Sequence, residues 1–227
     1  MKEYNFWTDG AASMKNLNGE YVREAGGWAW VLVENDKVIG QDCGREDNTT
    51  NNRMELMAIY NALNSYFRNR NLSDNCEKAS KININTDSAY CINIFTNWAE
   101  GWKANGWRRG KKKEPIENVE LIIDIYNQIK ILKEDFTDVN FIKVKGHSGD
   151  KWNEYVDKMA VEQKDPRYSN KDNSLMIVKL SKIPNKIEVT THARRELVGL
   201  LQHYSKEELN EIIEDILNNE LKGQEKS

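Results

Sequence analysis

Four acids stand where their type and setting could do chemistry: Asp9 in YNFWTDGAAS, Glu55 in TTNNRMELM, Asp87 in INTDSAY and Asp157 in GHSGDKWNEYVDKMA. Alternation over residues 4–9 predicts a strand with Tyr4, Phe6 and Thr8 on one face and Asn5, Trp7 and Asp9 on the other, so that Asp9 projects at the strand end beside Gly10. Asp87 ends a second alternating run, in which Ile82 and Ile84 are interleaved with Asn83 and Asn85. Four carboxylates brought together repel one another unless cations neutralise them. Oxygen donors of this kind suit a hard, partly hydrated divalent ion, so the expected chemistry is metal-assisted. Taken alone, Glu55 would be an ordinary first-turn acid that favours the helix dipole.

These acids need a frame to bring them together. Residues 15–23 are polar, hold Gly19 and fit a hairpin loop. AGGWAWVLVEN then reads as a second strand and residues 37–44, after an Asn35-Asp36 turn, as a third, and the short spacings favour an antiparallel meander. Thr49 or Thr50 can cap a helix running to about Phe67, with Leu56, Ile59, Tyr60, Leu63 and Phe67 as its buried stripe. Glu55 lies off that stripe in line with Ala58 and Ala62, small residues that let the helix approach the sheet and carry Glu55 toward Asp9. After a polar loop over 69–80, residues 81–86 form a fourth strand and Ser88 starts a short helix, a strand-to-helix junction of the kind where open α/β sheets place their chemistry. A helix is predicted from Pro115 to about Leu132, with Val119, Ile122, Ile123, Tyr126 and Ile129 inward, and a fifth strand over 139–145. Beyond the glycine-flanked GHSGD loop, a helix from Trp152 to about Gln163 buries Trp152, Tyr155, Val156 and Met159, and leaves Asn153 and Asp157 together on another face.

The net charge of −3 gives no global sign of a nucleic-acid partner, but local charge does. In TNWAEGWKANGWRRGKKKE, Trp98 and Trp102 are spaced i, i+4 and Trp107 follows Gly106, with Lys103, Arg108, Arg109, Lys111, Lys112 and Lys113 around them. A basic run alone is a solvated face and a Trp pair alone is core; interleaved, they read as a platform that grips phosphates and packs on sugars or bases. Cys43, Cys76 and Cys91 are odd in number and lack C-x-x-C spacing, which argues for reduced thiols and against a disulfide framework or a zinc site. With no leader-like segment and no apolar run near the roughly 18 residues of a span, a cytoplasmic protein without membrane contact is expected.

Residues 1 to about 163 resemble ribonuclease H of the type 1 class. TDGAAS, TTNNRMEL, TDSAY, TNW...GW...NGW and GHSG...NE..D occur in that family's order and spacing, and five weak motifs in order make a specific match. The resemblance implies an α/β fold with a five-stranded mixed sheet, three antiparallel strands followed by two parallel ones, and helices on both faces. It implies an endonuclease that cuts the RNA strand of RNA/DNA hybrids with two Mg²⁺ ions, for which Mn²⁺ is a substitute, leaving 5′-phosphate and 3′-hydroxyl ends. Asp9 would bridge the ions, Asp157 would complete the site of the attacking water, and Glu55 and Asp87 would complete the other. His147 would assist water positioning or product departure, although GHSG standing alone would be an exposed loop. Asn51 and Asn52 would read 2′-hydroxyls in the minor groove, with helix capping as their ordinary alternative. Thr50 and Asn118 match the family's phosphate pocket and Trp98 its deoxyribose platform, whereas the basic partner of that pocket falls near Asn48. The basic segment 102–113 matches the family's handle region. Two rivals share the fold: a binding module without hydrolysis, against which the four acids and His147 argue, and another nuclease or integrase, against which the Trp platform and the Asn pair argue.

The domain division read from the sequence is a catalytic domain over 1–163, a linker over 164–173 and an extension over 174–227. In that extension LMIVKL reads as a strand, followed by a Pro184-Asn185 turn and helices over about 191–204 and 205–221. The last helix is acidic with an apolar stripe at Leu209, Ile212, Ile213, Ile216 and Leu217, which favours packing, self-association or a protein partner over nucleic acid.

Overall fold

The computed structural model describes residues 2–72, 78–146, 149–165, 176–178 and 187–189. Three strands form an antiparallel meander: β1 (Lys2–Leu17), β2 (Glu20–Glu34) and β3 (Lys37–Glu46). After helix α1 (Asn51–Leu72), strand β4 (Ala79–Thr86) joins β1 in parallel. Helix α2 (Ala89–Asn93), a π-helical turn over Ile94–Trp98, helix α3 (Ala99–Ala104) and helix α4 (Val119–Glu134) precede β5 (Asp138–Lys143), which pairs in parallel with β4. The sheet order β3-β2-β1-β4-β5 is the five-stranded mixed sheet expected, and α5 (Lys151–Glu162) closes the second face.

The alternation of β1 decides which layer each residue enters. Phe6 joins Trp30, Leu56, Ile59, Leu63, Ile82, Ile84 and Ile122 in the main core, where α1 and α4 pack on one face. Trp7 faces the other way and packs with Val31, Val33, Val156 and Ala160 under α5. On β4 the interleaved Asn83 and Asn85 are buried as well, because each is hydrogen-bonded. Asn83 donates to Asn5 at 2.8 Å and accepts from Asn140 at 3.2 Å, an amide ladder in register across β1, β4 and β5, and Asn85 donates to the Phe6 carbonyl at 2.9 Å.

Four predicted boundaries or faces change. The segment 15–23 is paired strand, down to Leu17 opposite Glu20, with a two-residue turn at Asn18 and Gly19, both at positive φ as an Asn-Gly hairpin turn requires. Helix α1 is inaccessible on more than the predicted stripe: Met54, Met57, Ala58, Ala62 and Tyr66 are buried as well, while Tyr60 and Phe67 are half-buried, because α1 lies between the sheet and α4. Helix α4 starts at Val119 rather than Pro115, since Asn118 in the left-handed region ends the preceding turn; Leu121 and Ile125 are buried, Val119 and Ile123 only half so. On α5 the inward row is Asn153, Val156 and Ala160, and Tyr155 is exposed with its hydroxyl on Gln41 at 3.0 Å.

The chain divides into two compact units, 1–171 and 172–227. In the second, β6 (Met176–Val178) pairs antiparallel with β7 (Ile187–Val189), a second strand that residue order did not suggest. The two helices expected after it lie outside the described residues.

Candidate active site

Strands β1 and β4 are parallel neighbours with Trp7 opposite Asn85. Asp9 lies within β1, paired with Ala29, and not at a strand end beside a turn as expected, because the ladder with β2 carries the strand on to Leu17. Asp87 follows the end of β4 beside it. Glu55 reaches them because α1 touches the sheet at Gly10. A Cβ on Gly10 would stand 2.1 Å from the Glu55 amide nitrogen, so only glycine allows this approach. Carboxylate oxygens of Asp9, Glu55 and Asp87 lie within 4.8 Å of one another. Asp157 bears on Asp9 from α5 and helps to raise its carboxyl. Asp9 is 6% exposed and Glu55 4%, and Glu55 Oε2 is buried without a hydrogen-bond partner. The loop after β5 closes on the cluster: Val144 donates to the Thr86 carbonyl at 3.0 Å, and a Cβ on Gly146 would meet Asp87 Oδ2 at 2.6 Å. His147 lies outside the described residues.

The expected substrate residues separate into two groups around these acids. Thr50 caps α1, its hydroxyl accepting from the Arg53 amide at 3.3 Å, and Asn51 accepts from the Ala12 amide at 3.1 Å while its amide lies 3.5 Å from Glu55 Oε1. Asn51 therefore ties β1 to the acid cluster, and Asn52 beside it is exposed. Asn118 accepts from Arg53 at 3.4 Å, and Arg53, to which the motifs gave no role, also pairs with Glu46 and Glu120. In the aromatic segment the π-helical turn sets Trp98, 40% exposed, 5.6 Å from Trp102 by ring centroids. Trp107 instead packs edge-on against Tyr126 at 5.4 Å, and the Lys103 ammonium sits 4.9 Å over the same Tyr126 ring. Arg108, Arg109 and Lys111 to Lys113 are exposed, and the Arg109–Glu114 bridge closes a small turn with the three lysines at its tip.

Comparison with known proteins decides what this arrangement belongs to. The family model described as RNase H matches residues 1–165. A ribonuclease H of Acetivibrio thermocellus is 37% identical over 166 residues, which are 72% of this chain and 95% of that relative. The chain belongs to the ribonuclease H family. Solved structures share the fold at lower identity. The PFV RNase H domain superposes with a TM-score of 0.54 at 20% identity over 71% of this chain and 93% of that domain. A foamy viral protease-reverse transcriptase in complex with RNA/DNA hybrid gives 0.53 at 19% identity over 72% of this chain and 20% of that one.

In this ribonuclease H family member the acids meet the requirements of a divalent-cation site. Burial, then the charge of Asp87, drives the Asp9 carboxyl up to about 7 against the pull of the Gly10 amide, with Asp157 adding to the rise. Burial, then Asp9 and Asp87, holds Glu55 well above the usual carboxylate range. Among the described residues no Lys or Arg pairs with Asp9, Glu55 or Asp87, so none of these supplies the compensating charge. Asp9 binds its proton more tightly folded than unfolded. Its contribution to stability is therefore favourable below about 4, declines as pH rises toward about 7, and is unfavourable above that. Thermal melts in EDTA should show this decline, and magnesium should raise Tm more at about pH 8 than at about pH 5. An equal magnesium effect at both values would place the ion away from Asp9.

Proposed function

We propose that the chain is an endonuclease that hydrolyses the RNA strand of RNA/DNA hybrids. The observation that carries this reading is the cluster of buried Asp9 and Glu55 with half-buried Asp87, without a pairing Lys or Arg among the described residues, in a ribonuclease H chain. Asp9, placed between the α1 and α5 acids, is assigned the shared ligand, with Glu55 and Asp87 on one side and Asp157 on the other. Two magnesium ions, when bound, supply charge stabilisation for an attacking water and for the departing 3′ oxygen. Water then adds to phosphorus as the P–O3′ bond breaks, and the ends are a 5′-phosphate and a 3′-hydroxyl. Manganese, with similar oxygen preference, is a substitute.

Asn51 and Asn52 stand at the N-terminus of the helix that carries Glu55, where an amide that donates and accepts can recognise 2′-hydroxyls close to the cleavage point. Thr50 and Asn118 line one depression with Arg53 and take a DNA phosphate, and Trp98 packs on a deoxyribose. Trp102 supports Trp98, whereas the packing of Trp107 and Lys103 on Tyr126 gives them the role of holding the platform. His147, which follows Gly146 in the sequence, is assigned to water positioning or product departure. The related foamy viral structure that holds an RNA/DNA hybrid is in keeping with this substrate.

Cleavage of end-labelled hybrid, RNA duplex, DNA duplex and single-stranded RNA, with magnesium or EDTA, tests the assignment. Metal-dependent cutting of the hybrid's RNA strand alone is expected; cutting of DNA duplex, or hybrid binding without cutting, overturns it. Replacing Arg108, Arg109, Lys111, Lys112 and Lys113 together by Ala should weaken hybrid binding and flatten its salt dependence by roughly 0.9 for each phosphate no longer neutralised. Unchanged affinity at moderate salt would remove the basic turn from the binding surface. No helix among the described residues is long and apolar enough to cross a membrane.

A further inference from the structure

The paired ribbon at residues 14–23 is ladder-bonded, yet almost nothing covers it. Met14 is 60% exposed and Tyr21 71%, and Leu17 and Val22 are open as well. A two-stranded ribbon gains little by itself, and open apolar side chains on one mark a surface that meets something. Its register sorts its residues: Met14 opposes Arg23 and Asn16 opposes Tyr21, so these four share one face, and Lys15, Leu17, Glu20 and Val22 share the other.

Arg23 lines a depression of about 450 Å³ together with Thr49, Thr50, Arg53 and Asn118. Glu46, Glu117 and Glu120 line it too; Arg53 is engaged by Glu46 and Glu120, and Glu117 is exposed. The Arg23 guanidinium makes no ion pair or hydrogen bond among the described residues. The Thr49 hydroxyl, 1% exposed by residue and lining the same depression, is buried with no partner. The root of the ribbon is fixed on both strands: the Ala12 amide donates to Asn51 at 3.1 Å, and Glu24 accepts from the Thr49 amide at 3.2 Å. Arg23 and Tyr21 are thus held in constant relation to the acid cluster.

We infer that this ribbon is a further nucleic-acid-binding arm, in which Arg23 takes a backbone phosphate at the depression and Tyr21 packs against the adjoining sugar. The inference rests on the hybrid-cleaving reading and adds Arg23 and Tyr21 to the depression where Thr50 and Asn118 are proposed to take a DNA phosphate. A guanidinium presents a planar fork to phosphate oxygens, and an aromatic ring on a rigid ribbon adds sequence-independent contact. Arg23 also brings an open cation to a depression whose other arginine, Arg53, is already neutralised by Glu46 and Glu120.

The test compares the full-length wild type with Arg23→Ala, Arg23→Lys, Tyr21→Ala and Lys133→Ala, the last removing one exposed charge at the opposite end of α4 from Asn118. Hybrid binding is measured against salt in EDTA, and kcat and KM in magnesium. Arg23→Ala should lose about 0.9 of the log–log salt slope and bind roughly three- to tenfold more weakly near 0.1 M salt, with the effect on KM and not on kcat. Arg23→Lys should regain most of the slope, and Tyr21→Ala should raise KM with the slope unchanged. An Arg23→Ala slope equal to that of Lys133→Ala would reduce the effect to net charge and overturn the arm. Wild type that neither binds nor cuts hybrid would instead overturn the functional reading, so the two failures are separable.

Discussion

Asp9→Asn should reduce hydrolysis of the hybrid's RNA strand by about a thousandfold or more, and the same variant should be more stable than wild type when magnesium is absent. Both effects have one origin. Asp9 is buried among Glu55, Asp87 and Asp157, so its charge is unfavourable until a cation arrives. Moving its ionisation from 3.8 to about 7 corresponds to at most on the order of 4 kcal/mol of native-state penalty at neutral pH. An amide of the same shape removes the charge together with the ligand. The expected record is a Tm raised by several degrees in EDTA and a magnesium-induced rise that is largely abolished. Loss of activity accompanied by a lower Tm would mean that Asp9 holds the fold, and retained cleavage would remove it from the chemistry.

Gly10→Ala should cost about 3 kcal/mol or more, a large effect for one methyl group. The added Cβ would lie 2.1 Å from the Glu55 nitrogen, 2.3 Å from the Met54 carbonyl carbon and 2.8 Å from the Glu55 Cα. These are backbone atoms of a helix held between the sheet and α4, so no side-chain rotation can relieve the overlap. The helix must withdraw, and Glu55 withdraws with it. Urea unfolding reads the first consequence and cleavage by the remaining folded fraction the second. Gly40→Ala is the matched control: its Cβ meets Trp30 at 3.5 Å, an ordinary contact, and a cost below about 1 kcal/mol is expected. Equal losses in the two variants would mean that general strand effects, and not the closeness of α1 to β1, set the cost.

Much of this was legible from residue order because each signal is local. The alternation of 4–9 and 82–85, the Asn35-Asp36 turn and the Ser88 cap each depend on a few adjacent residues, and each element is found. The misread elements are those whose environment is set from a distance. Residues 15–23 read as loop because neither face of the ribbon is buried, so no apolar alternation marks it; the Asn18-Gly19 pair was the signal present. The burial of Asn83 follows only from pairing with β1 and β5, which supplies its amide partners. Composition likewise cannot show that Tyr126, some twenty residues later, packs against both Trp107 and Lys103.

The sequence by itself determined which carboxylates are present, that Asp87 follows the end of a strand, and that the ordered motifs are those of the ribonuclease H family. Tertiary structure alone decided that Asp9, Glu55 and Asp87 meet within 4.8 Å, that Arg53 is neutralised while Arg23 stays open, and that Gly10 is the contact on which the meeting depends. The physical reason is the range of the forces. Strand and turn preferences act between neighbours along the chain, whereas carboxylate repulsion, desolvation and steric contact act through space, and their sum is fixed only when parallel pairing and helix packing have set the distances.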